Sequence, residues 1–192
     1  MIRDIALLAA RLAVGGGIAA HGAQKAFGAF EGPGPVKTAQ IMHGLGFRPG
    51  ETYGPLAAWN EMLAGSLIAL GLGGPIGPSL LISEMAVAAT SVKWKNGFFE
   101  HKNGIELPFI YSAAALAFAA TDFGAISMDA IVGSRRPLRN PFLTALTLAG
   151  AVTGAIVLLN SRDQSLEGPA TPTFRGKNSP LPEEMLSGKS GR

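Results

Sequence analysis

Five apolar stretches separated by short polar joints occupy residues 5 to about 160, and they constrain this chain more than any other feature. They fall at 5–24 (IALLAARLAVGGGIAAHGAQ), 55–73 (PLAAWNEMLAGSLIALGLG), 76–94 (IGPSLLISEMAVAATSVKW), 107–126 (LPFIYSAAALAFAATDFGAI) and 141–160 (PFLTALTLAGAVTGAIVLLN). About 20 mostly apolar residues carry a helix across a bilayer. Inside it no water bonds the backbone, so each segment must satisfy its own N–H and C=O groups as a helix. The expectation is an all-α transmembrane helical bundle in a lipid bilayer. Alternating strands of about 10 residues, which a membrane barrel requires, are not visible.

The polar regions explain why mean hydropathy is only +0.28. A loop at about 25–53 and a tail from Arg162 to Arg192 dilute the apolar spans. Many of the 26 glycines lie inside the spans. In a soluble helix each would cost about 1 kcal/mol, whereas in a membrane small residues let helices approach closely. Gly65 with Ala64 and Ala69, the run Gly150, Ala151, Gly154 and Ala155, and the triplet at 15–17 all suit such packing. The absence of cysteine excludes disulfides, iron–sulfur clusters and Cys-ligated zinc within the chain. The net charge of +3 is spread out, with no basic face for nucleic acid. His21, His43 and His101 have no i, i+4 partner of the kind a helical metal site uses, so no metal is expected.

The loop at 25–53 holds a predicted short helix, VKTAQIMHGLGF, closed by Arg48-Pro49-Gly50. The uncharged joint GGPIGP makes spans two and three an antiparallel hairpin. Residues 162–192 are rich in Pro, Gly, Ser and charge and should be disordered unless they dock on the bundle or on a partner.

A helix rises 1.5 Å per residue, so position in a span converts to depth. Counted so, His21, Gln24, Lys25, Asn60, Glu61, Lys95, Asn96 and Glu106 converge at the end of the bundle opposite Met1. Arg11 and Glu84 fall at similar depth nearer the Met1 end and are expected to form a buried charge pair. Ionisable groups inside a membrane are costly and face a partner, a cavity or a pathway. For any one of these residues a structural role is the simpler reading: a register-fixing pair, or a lysine or aromatic at the headgroups. The functional reading rests on the set sharing one level. The run SRRPLR at 134–139 is the clearest retention signal and puts the N-terminus in the cytoplasm and the C-terminus outside a cell membrane (inner or cytoplasmic), although a plain count of cations favours the reverse.

Four segments, in order, carry a resemblance. RLAVGGGIAAHGAQKAFG, Glu61 followed by AGSLIALGLG, KNGFFEHKNGIELPFIY and DFGAISMDAIVG together resemble the DoxX family over about residues 8–133. The resemblance implies a four-helix membrane bundle at 1–133 and a setting in membrane redox complexes and sulfur metabolism. Similar members include a small subunit of thiosulfate:quinone oxidoreductase. This chain departs from the pattern by adding a fifth span at 134–161 and a tail at 162–192. It also has Asp122-Phe123-Gly124 where the family often has Gly-Pro-Gly, ahead of Ser127 and Asp129.

Two functions follow as expectations. In the first, the chain is a non-catalytic accessory or anchoring subunit of a redox or respiratory-type membrane complex, docked through the fifth helix and the tail. In the second, it is a small-subunit quinone-linked oxidoreductase, with Lys25 and Lys95 supplying positive charge and Glu61 or His21 moving protons. No cofactor motif is present, and a quinone is the one cofactor the polar cluster suggests. Five spans without an inverted repeat argue against a transporter.

Overall fold

The computed structural model describes residues 1–133 and 140–163, and among them there is no strand. The helices are α1 (Ile2–Phe27), α2 (Gly34–Gly44), α3 (Gly50–Leu70), α4 (Ile76–Ala88), α5 (Glu106–Thr121), a short α6 (Met128–Ile131) and α7 (Pro141–Asn160). Past Ala88, α4 widens into a π-turn at Ala89–Lys93 and then tightens into a 3₁₀ turn at Trp94–Asn96. By length and composition, α1 and α7 are each apolar enough to cross a membrane.

Central α3 packs on α1, α2 and α4, and α4 in turn carries α5 and α7. The α1–α3 crossing is close because both helices put small residues at it. A Cβ on Gly15 would stand 2.6 Å from the Gly65 carbonyl oxygen, and one on Gly65 would stand 2.5 Å from that of Gly15. Two turns on, a Cβ on Gly22 would meet the Ala58 carbonyl at 2.7 Å. Backbones this near gain dispersion contacts that larger side chains would prevent. Gly65 and Gly15 therefore have the packing role expected of them. On α7 only Ala155 is buried, whereas Gly150 and Gly154 face open space. The predicted small-residue seam is there replaced by a gap.

Ile18, Ala64, Ile68, Leu81, Ala115, Phe118 and Phe123 form the core. The outer surface is apolar as well: Leu12, Leu63, Phe109, Leu116, Phe142, Leu146, Val152, Ile156 and Val157 are all exposed. A water-soluble domain does not carry so continuous an apolar exterior, and lipid is the medium that tolerates it.

The helix bounds differ from the sequence expectation where local chemistry intervenes. α3 begins five residues before Pro55, which stands inside the helix as its sixth residue and leaves the Glu51 carbonyl, four residues back, without its intrahelical donor. The fourth apolar stretch stops at Thr121 rather than 126, because Asp122 takes φ 103°, in the region that favours glycine. Gly124 follows at φ 81°. Both glycine positions of the Gly-Pro-Gly pattern thus keep a left-handed turn, the first with aspartate in it. α7 spans the predicted 141–160, with Asn140 Oδ1 accepting the Phe142 N–H at 2.9 Å and Pro141 at the first helical position. SRRPLR lies outside the described residues, as does the tail beyond Asp163.

Candidate functional site

Polar groups gather at both ends of the bundle, and the two gatherings differ in kind. At the Met1 end Arg11, Ser127 and Asp129 bond backbone groups, while Arg11 Nε and the Ser79 hydroxyl are buried without a hydrogen-bond partner among the described residues. Asp129 accepts the N–H groups of Gly73 at 3.0 Å and Gly74 at 2.8 Å, and its own N–H donates to the Gly71 carbonyl at 3.0 Å. Ser127 Oγ donates to the Gly124 carbonyl at 2.7 Å and accepts the Ala130 N–H at 3.2 Å. The Ser-x-Asp motif therefore pins the end of α5 onto the α3–α4 turn.

Arg11 belongs to the same end. It is fully buried, donates to the carbonyls of Ala69 (3.1 Å) and Ile126, and lies 5.7 Å from the centre of the Phe123 ring. A guanidinium on the last carbonyls of α3 also complements the negative end of that helix. The expected Arg11–Glu84 pair does not form. Measured along α3, Arg11 meets Ala69 while Glu84 meets Asn60, nine residues away, which is about 14 Å of rise. The depth count placed the two residues together because it started α4 at the membrane edge. In fact Gly77 already stands opposite Ala64 and Leu67, well inside α3.

At the opposite end, a chain of polar side chains crosses from α1 through α3 to α4. Lys25 Nζ donates to Glu61 Oε1 at 2.5 Å, and Asn60 Nδ2 donates to Glu84 Oε2 at 2.6 Å. The Glu61 side chain is 7 % exposed and that of Lys25 27 %. The second Glu61 oxygen is buried without a hydrogen-bond partner among the described residues. Thr38 Oγ1 donates to the Gly34 carbonyl at 2.7 Å and reaches the Lys25 carbonyl at 3.4 Å, which seats α2 against the end of α1.

A cavity of about 260 Å³ opens beside this relay, between α2 with the residues after it, α3, α4 and α7. Its walls are Met42, Phe47, Tyr53, Leu56, Ala57, Val87 and Leu158. Its polar points are Asn60, Ser83 and Glu84, and Gly154 leaves one side open. Apolar walls with a few convergent polar groups are the usual make-up of a small-molecule site. Phe47 is buried and packs on Tyr53 with ring centres 5.7 Å apart, which stiffens the wall opposite Glu84.

The other expected members of the cluster separate. His21 lies on an exposed face, and its hydrogen bond is to Gln24 Oε1 at 3.0 Å. Asn96 donates to the Asn103 carbonyl at 3.2 Å, and Glu106 accepts the Glu100 N–H at 2.9 Å. Lys93 pairs with Glu100 at 2.8 Å. These residues, with Lys95 on the same turn, build the loop between α4 and α5. Lys25, Asn60 and Glu61 stay together, and Glu84 joins them from the other predicted set. Tyr53 and Phe47 went unnoticed as cavity walls, and the only signal for them was that an aromatic pair flanks the turn before α3.

Compared with known proteins, the chain matches one family model, DoxX, over residues 6–94. That match takes in α1 to α4 and both halves of the polar relay. No curated protein and no solved structure matches the chain.

Proposed function

This chain belongs to the DoxX family of small membrane proteins, and we propose that it serves as a membrane subunit of a redox complex, offering that complex a quinone-class site between its helices. The single observation behind this reading is the apolar cavity of about 260 Å³ with the Asn60–Glu84 pair on its wall. A quinone is a flat apolar ring with carbonyl oxygens at its edge. It suits aromatic and aliphatic walls that carry one hydrogen-bonding corner. The Lys25–Glu61 pair, next in sequence to Asn60, supplies fixed charge beside that corner.

The accessory role is favoured over intrinsic catalysis by the residues available. The sequence has no cysteine, and no group of His, Asp and Glu among the described residues is arranged to hold a metal ion. Electrons would then arrive from a partner. In this reading α1, α3, α4 with its continuation to Asn96, α5 and α7 each cross the bilayer of the cell membrane. The family bundle is 1–133, α7 is an added span, and the tail from 162 reaches a partner. The N-terminus lies in the cytoplasm and the relay near the outer face.

Gentle solubilisation and purification through a tag on this chain tests the proposal. The expected outcome is a stable complex with a redox protein, whose quinone-dependent activity falls at least tenfold in Asn60→Leu while assembly is kept. A lone monodisperse protein would overturn the subunit reading, and full activity in Asn60→Leu would overturn the site.

A further inference from the structure

A second gap, of about 330 Å³, lies between α4 and α7. It shares Ser83 and Gly154 with the cavity beside Glu84, so the two gaps adjoin and follow one another along α4 as a groove. On α4 the groove runs from Ile76 to Val87, about 17 Å of helix rise. Two features of it are unusual. Gly150 and Gly154 on α7 meet nothing within 4 Å of where a Cβ would stand, so these glycines are not there to bring the helices together. Facing them, Ser79 is 3 % exposed and its hydroxyl has no hydrogen-bond partner among the described residues.

Serines in membrane helices ordinarily turn back to a carbonyl of the preceding turn. Ser79 does not, and a buried hydroxyl left unpaired is costly. The groove thus has walls suited to hydrocarbon and one donor awaiting an acceptor. Ser83 repeats that hydroxyl one turn along the same face. We propose that this groove is the lateral path by which a flat, membrane-soluble ligand bearing a carbonyl oxygen reaches the Asn60–Glu84 corner, with the Ser79 hydroxyl donating to that carbonyl. The ligand class rests on the quinone reading above. The path rests on the α4–α7 geometry alone. The added helix α7 is then a wall of the site, and its glycines set how wide the entrance is.

The test uses the purified full-length chain and two probes: decylbenzoquinone and decylbenzene, which has the same tail and ring size but no carbonyl. Ser79→Ala removes an unpaired group and should leave the fold intact. It is expected to weaken decylbenzoquinone about fivefold to tenfold and leave decylbenzene unchanged. Gly150→Leu places a side chain into open space and lines only the second gap, so it too should fold, and it is expected to slow the association of both probes at least tenfold. Unchanged quinone binding in Ser79→Ala overturns the role of the hydroxyl, and unchanged association rates of both probes in Gly150→Leu overturn the path. Wild-type protein that binds the two probes equally defeats the quinone reading and the donor role. The Gly150→Leu result then still decides whether the groove is the way in.

Discussion

Asp129 offers the sharpest check on the division between a structural end and a functional end. Its carboxylate is 3 % exposed and accepts two backbone N–H groups of the α3–α4 turn, at 3.0 and 2.8 Å. Hydrogen bonds to a charged group are worth about 1.5–3 kcal/mol each, so Asp129→Ala should cost roughly 3–6 kcal/mol by the same accounting. For a chain of this length about 1 kcal/mol moves the unfolding midpoint by roughly 2–4 °C, which makes the expected drop roughly 6–24 °C. Asp129→Asn keeps one acceptor oxygen and should lose about half as much. The measurement is thermal unfolding of the purified protein in mild detergent, followed by tryptophan fluorescence from Trp59 and Trp94. A shift below about 2 °C for alanine would refute the reasoning, since no hydrogen-bond estimate reaches so low. So would an unchanged midpoint accompanied by lost ligand binding, because that would move Asp129 out of the framework and into a site.

Three further outcomes follow from the packing and charges. Gly15→Leu should prevent α1 and α3 from closing and give aggregated protein in size-exclusion chromatography, whereas Gly16→Ala, with nothing within 4 Å of its Cβ, should elute as wild type. Lys25→Ala strands the buried Glu61 carboxylate, and breaking a buried pair costs about 3–5 kcal/mol. The partial exposure of Lys25 puts the loss near 3 kcal/mol, and Lys25→Ala combined with Glu61→Leu should recover much of the lost midpoint. Because the chain has no cysteine, single cysteines report topology cleanly. An impermeant thiol reagent on intact cells should label Lys37→Cys and spare Ile131→Cys, and the reverse pattern would invert the orientation.

The apolar spans were legible in the sequence because lipid solvation acts on every residue of a helix, and α7 falls on its predicted bounds for that reason. The ends of α5 and α3 were less legible. They depend on a single residue's backbone angle at Asp122 and on where Pro55 can be tolerated. Lys25, Asn60 and Glu61 could be grouped by counting residues from the membrane edges, since α1 and α3 cross in close register through Gly15 and Gly65. Glu84 was misplaced because counting assumes that every helix enters at the same level, and the α3–α4 turn lets α4 enter deeper. His21 was misplaced for another reason: depth is read from position along a helix, but facing is a rotation, and His21 is turned away from α3. The role of the Ser-x-Asp motif could not be read at all without knowing which N–H groups it meets.

The two ends explain each other. The two terminal nitrogens of Arg11, with Ser127 and Asp129, bond backbone groups of the end of α3, the α3–α4 turn and the segment between α5 and α6, and this holds one end of the bundle in a single arrangement. That leaves polar atoms unpaired among the described residues on the groove side of the bundle: one oxygen of Glu61 at the other end and, toward α7, the hydroxyl of Ser79 in the first turn of α4. An uncommitted buried group is tolerable only where the surrounding helices cannot shift to satisfy it. In this chain that rigidity comes from the interlocked glycines of α1 and α3 and from the pinned turn between α3 and α4. The same logic accounts for the glycines of α7. Were they packing residues they would sit against α4 as Gly15 sits against Gly65, but they face a gap that a side chain could fill without a clash. A membrane helix that leaves such a gap beside an unpaired hydroxyl leaves room for a ligand.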